Sequence, residues 1–406
     1  MQPTRPVLTI FYHFDPWGRG IGGIDTLIRS QIKYAPRELD VRVVGAGGAG
    51  DKAGEWCHRD LHGREIRFLP LFIQQEANAR RRVPNTLRYA FHLARRNPSR
   101  LDLASDFMHF HRVEPTLLAR RWPGEKTLFI HLDIEQQLAV GVERNESRWR
   151  RFPAVYLALE RASIGQFHQI LSCNTSSIRF HQHLYPRLAG RFHFIRNCVD
   201  TEVHYPLDTA ARERERQVLA SNMGLHPDTR FILSAGRLEP VKDPLLLLRA
   251  FSQLNRPGTH LLIAGAGSME SVIRRQVSVL SLRARSTLLG ALPPDRLANL
   301  QRVCSVLVLT SAYEGLPMVL LEALACGTPV VTTPSGECAN VVGRGAGIVT
   351  RDCSEVSIVS ALRRVLDDPR EYPASTCTET ASPFTASTVI RELFDEMLIR
   401  WRPRQC

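Results

Sequence analysis

Short runs of β-branched and aromatic residues alternate with helix-spaced apolar patterns along the whole chain, and this alternation leaves few folds open. A strand, a helix and a further strand in succession return parallel to one another, so such a chain builds parallel sheets covered by helices. Two series are legible. The first predicts strands at Val7–Phe14, Val41–Gly45, Ile66–Leu71, Phe107–His111, Thr127–Leu132, Ile170–Cys173 and Phe192–Arg196. The second predicts them at Phe231–Ala235, His260–Ala264, Thr287–Leu289, Ser305–Leu309, Pro329–Thr332 and Gly347–Thr350. Between the series, residues 201–219 are polar and charge-dense, the composition of a linker running into a helix. With 406 residues the chain is about two to three times the usual domain size. The expectation is therefore an α/β chain of two parallel-sheet domains, 1–205 and 206–383, followed by a helix in 384–406 that packs back on them. In that last segment Val389, Ile390, Leu393, Phe394, Met397 and Leu398 recur at helical spacing.

Three helices carry their own boundaries. Asp243 before Pro244 reads as an N-cap with proline in the first turn, opening the apolar run Leu245 to Leu254. Ser268 is placed to cap the helix that holds Val272, Ile273, Val277 and Leu280. Pro317 opens a helix, and Gly327 marks its end as a left-handed residue.

Composition narrows the class. Hydrophobic residues make up 44% and charged residues 23%, as in ordinary folded proteins. No stretch of 18 uncharged apolar residues exists, and Glu322 interrupts the richest run, Met318–Val331. The first residues continue into His13 and Asp15 without a small-residue cleavage site, so they read as a buried strand. A cytoplasmic location is expected, with no transmembrane helix. Nine cysteines without a C-x-x-C pair suit neither a disulfide framework nor a zinc site, and buried thiols are the expectation. The net charge of +13 is uneven: residues 1–200 hold 30 Lys+Arg against 19 Asp+Glu, whereas residues 201–406 hold 23 against 21. Such asymmetry points to a polyanionic partner for the first half. Nucleic acid would require basic and aromatic residues interleaved on a recognisable module, and none is found.

The chemistry concentrates in residues 314–331. A strand ends near Leu309, a loop carries Glu314 and Gly315, and a helix opens at Pro317. Helix N-termini present unpaired N–H groups and a positive dipole end, so this geometry makes an anion site. Gly315, Met318 and Glu322 are expected on one helical face, which brings Glu322 alongside the anion. A carboxylate there is repulsive to phosphate unless it accepts from hydroxyls, and ribose hydroxyls fit. Outside such a site the same pair would be a capping charge and a solvated helix face; the apolar surroundings of Glu322 favour a partner.

The spacing Glu314-x7-Glu322, with Gly315-Leu316-Pro317 after the first Glu and Ala325-Cys326-Gly327-Thr328-Pro329 after the second, resembles family-4 retaining glycosyltransferases. The resemblance implies the GT-B fold, two Rossmann-like domains facing a central cleft. It extends to Gly236-Arg237 and Lys242, similar to the family's basic element against the donor diphosphate, which implies that role for Arg237 and Lys242. Lys242 is one of four lysines in the chain. The resemblance further implies donor contacts at Gly22, Gly23, Glu314, Gly315, Leu316, Met318 and Glu322, with His131 facing the transferred sugar. A glycine cluster after a strand is equally a tight turn, and a strand-end His is more often a structural hydrogen-bonder. Asn197-Cys198-Val199-Asp200 is similar to the family's turn before the interdomain linker, except that Cys198 stands where the family has glycine; a positive φ there would strain it. Pro317 also removes one N–H. The likeness is dense over roughly residues 230–350 and thin over 1–200.

The activity implied is hexosyl transfer with retention, from a UDP- or GDP-hexose to a saccharide or lipid-linked acceptor hydroxyl, in cell-surface polysaccharide or glycolipid synthesis. His131, Arg237, Lys242 and Glu314 are the catalytic candidates. No Asp-x-Asp occurs, and Arg237, Lys242 and the helix at Pro317 offer positive potential to a leaving diphosphate, so neither metal nor cofactor is expected. Rivals are a nucleotide-sugar epimerase of the same architecture, which would release a free sugar, a non-catalytic sugar-nucleotide sensor, and a basic nucleic-acid-binding protein. Over residues 84–96 a helix with Leu87, Phe91 and Ala94 on one side is preceded by Arg80, Arg81 and Arg82 and closed by Arg95 and Arg96. That mixture suits an anionic membrane surface at the inner face, or equally a core-packed helix with solvated arginines.

Overall fold

The computed structural model describes residues 5–18, 22–74, 85–95, 102–131 and 153–401. It divides into two compact units, residues 1–196 with 389–406, and residues 197–388.

In the first unit the strands are β1 (Val7–Phe11), β2 (Asp40–Gly47), β3 (Cys57–Leu61), β4 (Arg64–Ile73), β5 (Phe107–Phe110), β6 (Glu125–Ile130), β7 (Gln169–Ser172) and β8 (Phe192–Phe194). Their order is β3-β4-β2-β1-β5-β6-β7-β8. All pairs are parallel except β3 with β4, a hairpin added at the edge. All seven predicted strands form. β3 was not anticipated: its residues alternate between solvent and neighbours without an apolar run. The helices here are α1 (Gly23–Lys33), α2 (Asn85–Arg95), α3 (Pro153–Ser163) and α4 (Thr175–Leu184). One core cluster joins Phe11, Phe110 and Phe167, each fully buried, with Phe11 and Phe110 stacked at 4.6 Å.

In the second unit β9 (Arg230–Ala235), β10 (Thr259–Ala264), β11 (Ser286–Gly290), β12 (Val306–Leu309), β13 (Val330–Thr332) and β14 (Gly347–Val349) form a parallel sheet, β11-β10-β9-β12-β13-β14. At its centre β10 is buried at every position and β12 reads Val-Leu-Val-Leu, because both faces are covered there. The helices that matter below are α5 (Thr209–Asn222), α6 (Pro244–Leu254), α7 (Glu270–Val279), α8 (Pro294–Val303) and α9 (Met318–Ala325).

In each sheet the chain builds outward on one side of its first strand and then crosses to the other. The switch points lie between β1 and β5 and between β9 and β12. Parallel α/β sheets bind ligands outside the carboxyl ends of strands at such points.

Asp243 caps α6 as predicted, its Oδ1 accepting from the Leu246 N–H at 3.0 Å, and Gly327 ends α9 at φ +73°. Ser268 caps nothing: its N–H and Oγ both donate to the Glu239 carboxylate, and α7 opens after Met269. Cys198 has no positive φ, so the turn carries no strain there. The second unit begins at Asn197, ahead of the charged segment expected to divide the domains, because Val199 is tied to Phe384 and Ala386 by backbone hydrogen bonds. The last helix, Ala386–Trp401, enters the first unit from Val389 onward. Its Val389, Ile390, Leu393, Phe394 and Met397 are buried, Phe394 stacks on His109, and Arg400 bonds Glu125 at 3.1 Å. Among the described residues five cysteines are buried and none of them is in a disulfide, whereas Cys353 is exposed.

Candidate active site

In the second unit the switch point collects the predicted residues. β9 ends at Ala235, and Gly236 turns the chain at φ +150° with no neighbour near its missing Cβ. Arg237 follows, exposed, and its guanidinium makes no hydrogen bond or ion pair among the described residues. The segment continues through a turn at Pro240–Lys242 to Asp243, which adopts φ +40° to cap α6. Thr310 holds this loop against the end of β12, its hydroxyl 3.0 Å from both the Lys242 and Asp243 carbonyls. Ala312 N–H donates to the Val241 carbonyl at 2.9 Å.

That stapling brings Lys242 to Glu314. The ammonium donates to Glu314 Oε1, which also accepts from Ser311 Oγ at 2.7 Å. Both side chains are largely sheltered, at 28% and 12% exposure. A third loop locks the backbone: Gly336 sits at φ +55°, where a Cβ would fall 2.0 Å from the Glu314 carbonyl oxygen, and Glu337 N–H donates to the Gly315 carbonyl. Asn197 Nδ2 donates to the Leu316 carbonyl at 2.6 Å.

With those carbonyls taken, the N–H groups of Gly315, Leu316, Met318 and Val319 donate to nothing among the described residues. Pro317 has none to give. Four unpaired donors at a helix start, beside Arg237 and Lys242 on neighbouring loops, form a preorganised receptor for an anion.

Gly315 lies before the helix rather than on its face, because α9 starts only at Met318. Met318 and Glu322 do share a face, one turn apart, and both are half-buried. Glu322 has a partner that no motif announces. Gln301 on α8, fully buried, brings Nε2 to 3.5 Å from Glu322 Oε2, while its Oε1 faces His204 Nδ1 at 3.0 Å. His204 donating to Oε1 leaves the amide nitrogen facing the carboxylate.

In the first unit Gly22 is the N-cap of α1 at φ −148°, ordinary extended backbone, and a Cβ there would meet only loose contacts. Gly23 opens the helix. Glycine is therefore not imposed at position 22 by the backbone. The residues before it, 19–21, lie outside the described set.

His131 follows β6 directly instead of closing it, and its Nε2 lies 2.9 Å from His111 Nδ1. Burial, helped by the charge of Arg112, lowers His131 to about 3. His13, beyond β1, is lowered to about 4 by the same two causes, and His111 is lowered well below its usual range. Each is a neutral imidazole at neutral pH.

On α2 the predicted apolar side proves to be the outer one. Tyr89 and Leu93 are buried, whereas Phe91 is 59% exposed and Ala94 and Arg95 face solvent. The correction is one of direction: the core takes the face with Tyr89, whose hydroxyl donates to the Val44 carbonyl at 2.7 Å. Arg80, Arg81, Arg82 and Arg96 lie outside the described residues.

Residues 215–380 match the family model Glycosyl transferases group 1. D-inositol 3-phosphate glycosyltransferase of Rhodococcus opacus is 30% identical over 176 residues, 41% of this chain and 40% of the relative. A glycosyltransferase of Methanocaldococcus jannaschii is 34% identical over 155 residues, 37% of this chain and 40% of its own length. The chain thus spans about two fifths of the curated relatives it matches. Among solved structures, sucrose-phosphate synthase of Thermosynechococcus elongatus superposes with a TM-score of 0.77 at 18% identity, covering 99% of this chain and 100% of that one. The Anabaena protein HepE in complex with UDP-glucose gives 0.70 at 16% identity, covering 97% and 99%. The fold is therefore the two-domain, Rossmann-like GT-B fold along nearly the whole chain, and residues 215–380 carry the Glycosyl transferases group 1 segment within it.

Proposed function

We propose that the protein is a retaining glycosyltransferase of the family-4 kind, moving a hexosyl residue from a nucleotide diphosphate sugar to an acceptor hydroxyl. The observation that carries this reading is the set of four unpaired N–H groups at residues 315–319 beside Arg237 and the Lys242–Glu314 pair. As the bond to the anomeric carbon breaks, negative charge gathers on the departing diphosphate, and donors already aimed at it cost no reorganisation. Arg237 and Lys242 supply that charge from the chain itself, so transfer is expected to persist in EDTA. Glu322, held by Gln301, accepts from the ribose hydroxyls. Glu314 orients Lys242. His131, neutral, offers hydrogen bonds to the sugar hydroxyls.

A UDP-hexose is the favoured donor, since the similar Anabaena structure holds UDP-glucose. The acceptor class is saccharide or lipid-linked, as in cell-surface polysaccharide or glycolipid assembly. An epimerase of the same architecture would release free sugar, and product analysis separates the two. Incubation with UDP-, GDP- and ADP-sugars, scoring nucleotide release, tests the reading; release from none of them overturns it.

A second reading, that the first unit docks on an anionic membrane surface, is favoured by Phe91 standing exposed between Arg88 and Arg95. Each Arg near such a surface contributes about 1 kcal/mol, screened by salt. No helix of the described residues is long and apolar enough to cross a membrane. Wild type should sediment with anionic vesicles but not neutral ones, and changing Phe91 and Arg95 together to Ser should reduce it; equal partitioning with both removes this reading.

A further inference from the structure

Three neighbouring strands of the first sheet, β1, β5 and β6, end in an unusual group: His13 beyond β1, His111 and Arg112 after β5, and His131 after β6. We propose that this edge binds an anionic group, a phosphate or carboxylate, and that Arg112 is the residue that receives it.

The guanidinium is the first ground. Its charge reaches His13, His111 and His131 and disfavours the protonated form of each. Yet Arg112 makes no hydrogen bond or ion pair among the described residues, and its Nε is buried without a partner. A buried donor such as this Nε is costly when left unpaired, so it is retained where something else pairs it. Among the described residues the nearby carboxylates do not. Glu114 forms no ion pair there, and its Oε2 is itself buried without a partner. Glu160 accepts from the Tyr185 hydroxyl at 2.8 Å.

The imidazoles are the second ground. His111 stacks on Phe129 at 4.6 Å and is pinned to His131, while its Nε2 is buried with no partner. Neutral imidazoles hydrogen-bond without adding charge, and the His111–His131 pair, with one N–H spent between them, keeps one N–H free, so one cation beside that donor suits a single anionic group. Guanidinium adds a planar fork that matches the oxygens of phosphate or carboxylate. The position, at the carboxyl edge beside the β1/β5 switch point, is where parallel sheets take ligands.

The inference deepens the proposed transferase reading: the anion is a phosphate or carboxylate carried by the acceptor. Titration of the full chain with inorganic phosphate by calorimetry needs no turnover, so its outcome stands apart from that reading. Wild type should bind phosphate, and Arg112→Gln should weaken binding by about tenfold to a hundredfold, as loss of a charged hydrogen bond implies. Arg112→Lys, which keeps charge without the fork, should fall between. Unchanged circular dichroism and thermal midpoint certify both variants as folded. Saturating UDP, which fills the receptor at residues 315–319, isolates this edge: phosphate binding that survives UDP and is weakened in Arg112→Gln supports the proposal, and loss of all phosphate binding in saturating UDP overturns it. Absent phosphate binding in wild type, or equal affinity in wild type and Arg112→Gln, overturns the proposal.

Discussion

At the residue scale the account turns on carboxylates with different duties. Glu314 is paired to Lys242, whereas Glu322 meets only the Gln301 amide at 3.5 Å and keeps accepting capacity for a ligand. Glu322→Ala should therefore weaken UDP binding by about 1.5 to 3 kcal/mol, roughly tenfold to a hundredfold in affinity by calorimetry. Gln301→Leu should weaken it less, because the carboxylate remains but loses its hold. Equal affinity in wild type and folded Glu322→Ala would remove the ribose assignment. Arg237→Ala and Lys242→Ala should each lower kcat more than they raise donor KM, since their worth grows as the leaving group charges. A rise in KM alone would assign them to uniform binding. Glu314 and Glu322 were legible because their spacing and apolar surroundings are local features. Gln301 and His204 were not, since side-chain hydrogen bonds between distant segments leave no periodic trace.

Among the elements, helix boundaries were read where a side chain meets its own helix and missed where it meets another loop. Asp243 before Pro244 encodes its cap locally. Ser268 carries the same type of signal, yet the Glu239 carboxylate takes both its donors, tying the β9 loop to the β10 loop. Because Asp243 both caps α6 and adopts φ +40°, Asp243→Ala should cost about 1 to 2 kcal/mol in urea unfolding. Asp243→Asn, which caps and tolerates that conformation, should cost under about 0.5 kcal/mol. Equal losses would show that the cap is not what matters. For α2, periodicity gave the helix but not its orientation: two apolar stripes exist, and only the packing of Tyr89 chooses between them.

Over the whole molecule, the alternation of strands and helices specified both sheets, and only the edge strand β3, which has no apolar run, escaped it. The second unit begins ahead of the charged segment, where Val199 pairs through its backbone with Phe384 and Ala386, whereas charge density marks solvent exposure. Buried histidines give the molecule a pH dependence. His13, His109, His111 and His131 all resist protonation when folded, with His109 and His131 lowered to about 3. Below about pH 6.5 the unfolded chain takes up protons there that the folded chain does not, so stability is complete above that pH and falls toward pH 3. Asp15 and Asp25, raised by burial, oppose this in part. The urea midpoint should be lower at pH 5 than at pH 7.5, and a midpoint equal or higher at pH 5 would contradict the burial of this cluster.

The central claim is transfer from a nucleotide sugar by the residues at the β9/β12 switch point, and the anomeric configuration of the sugar first released from UDP-glucose tests it most directly. Followed by proton NMR in EDTA without acceptor, wild type should slowly release UDP together with α-glucose ahead of mutarotation, and Arg237→Ala should release neither at a measurable rate. Initial release of β-glucose, release of an epimerised sugar, or no release from UDP-, GDP- or ADP-sugars would contradict the account.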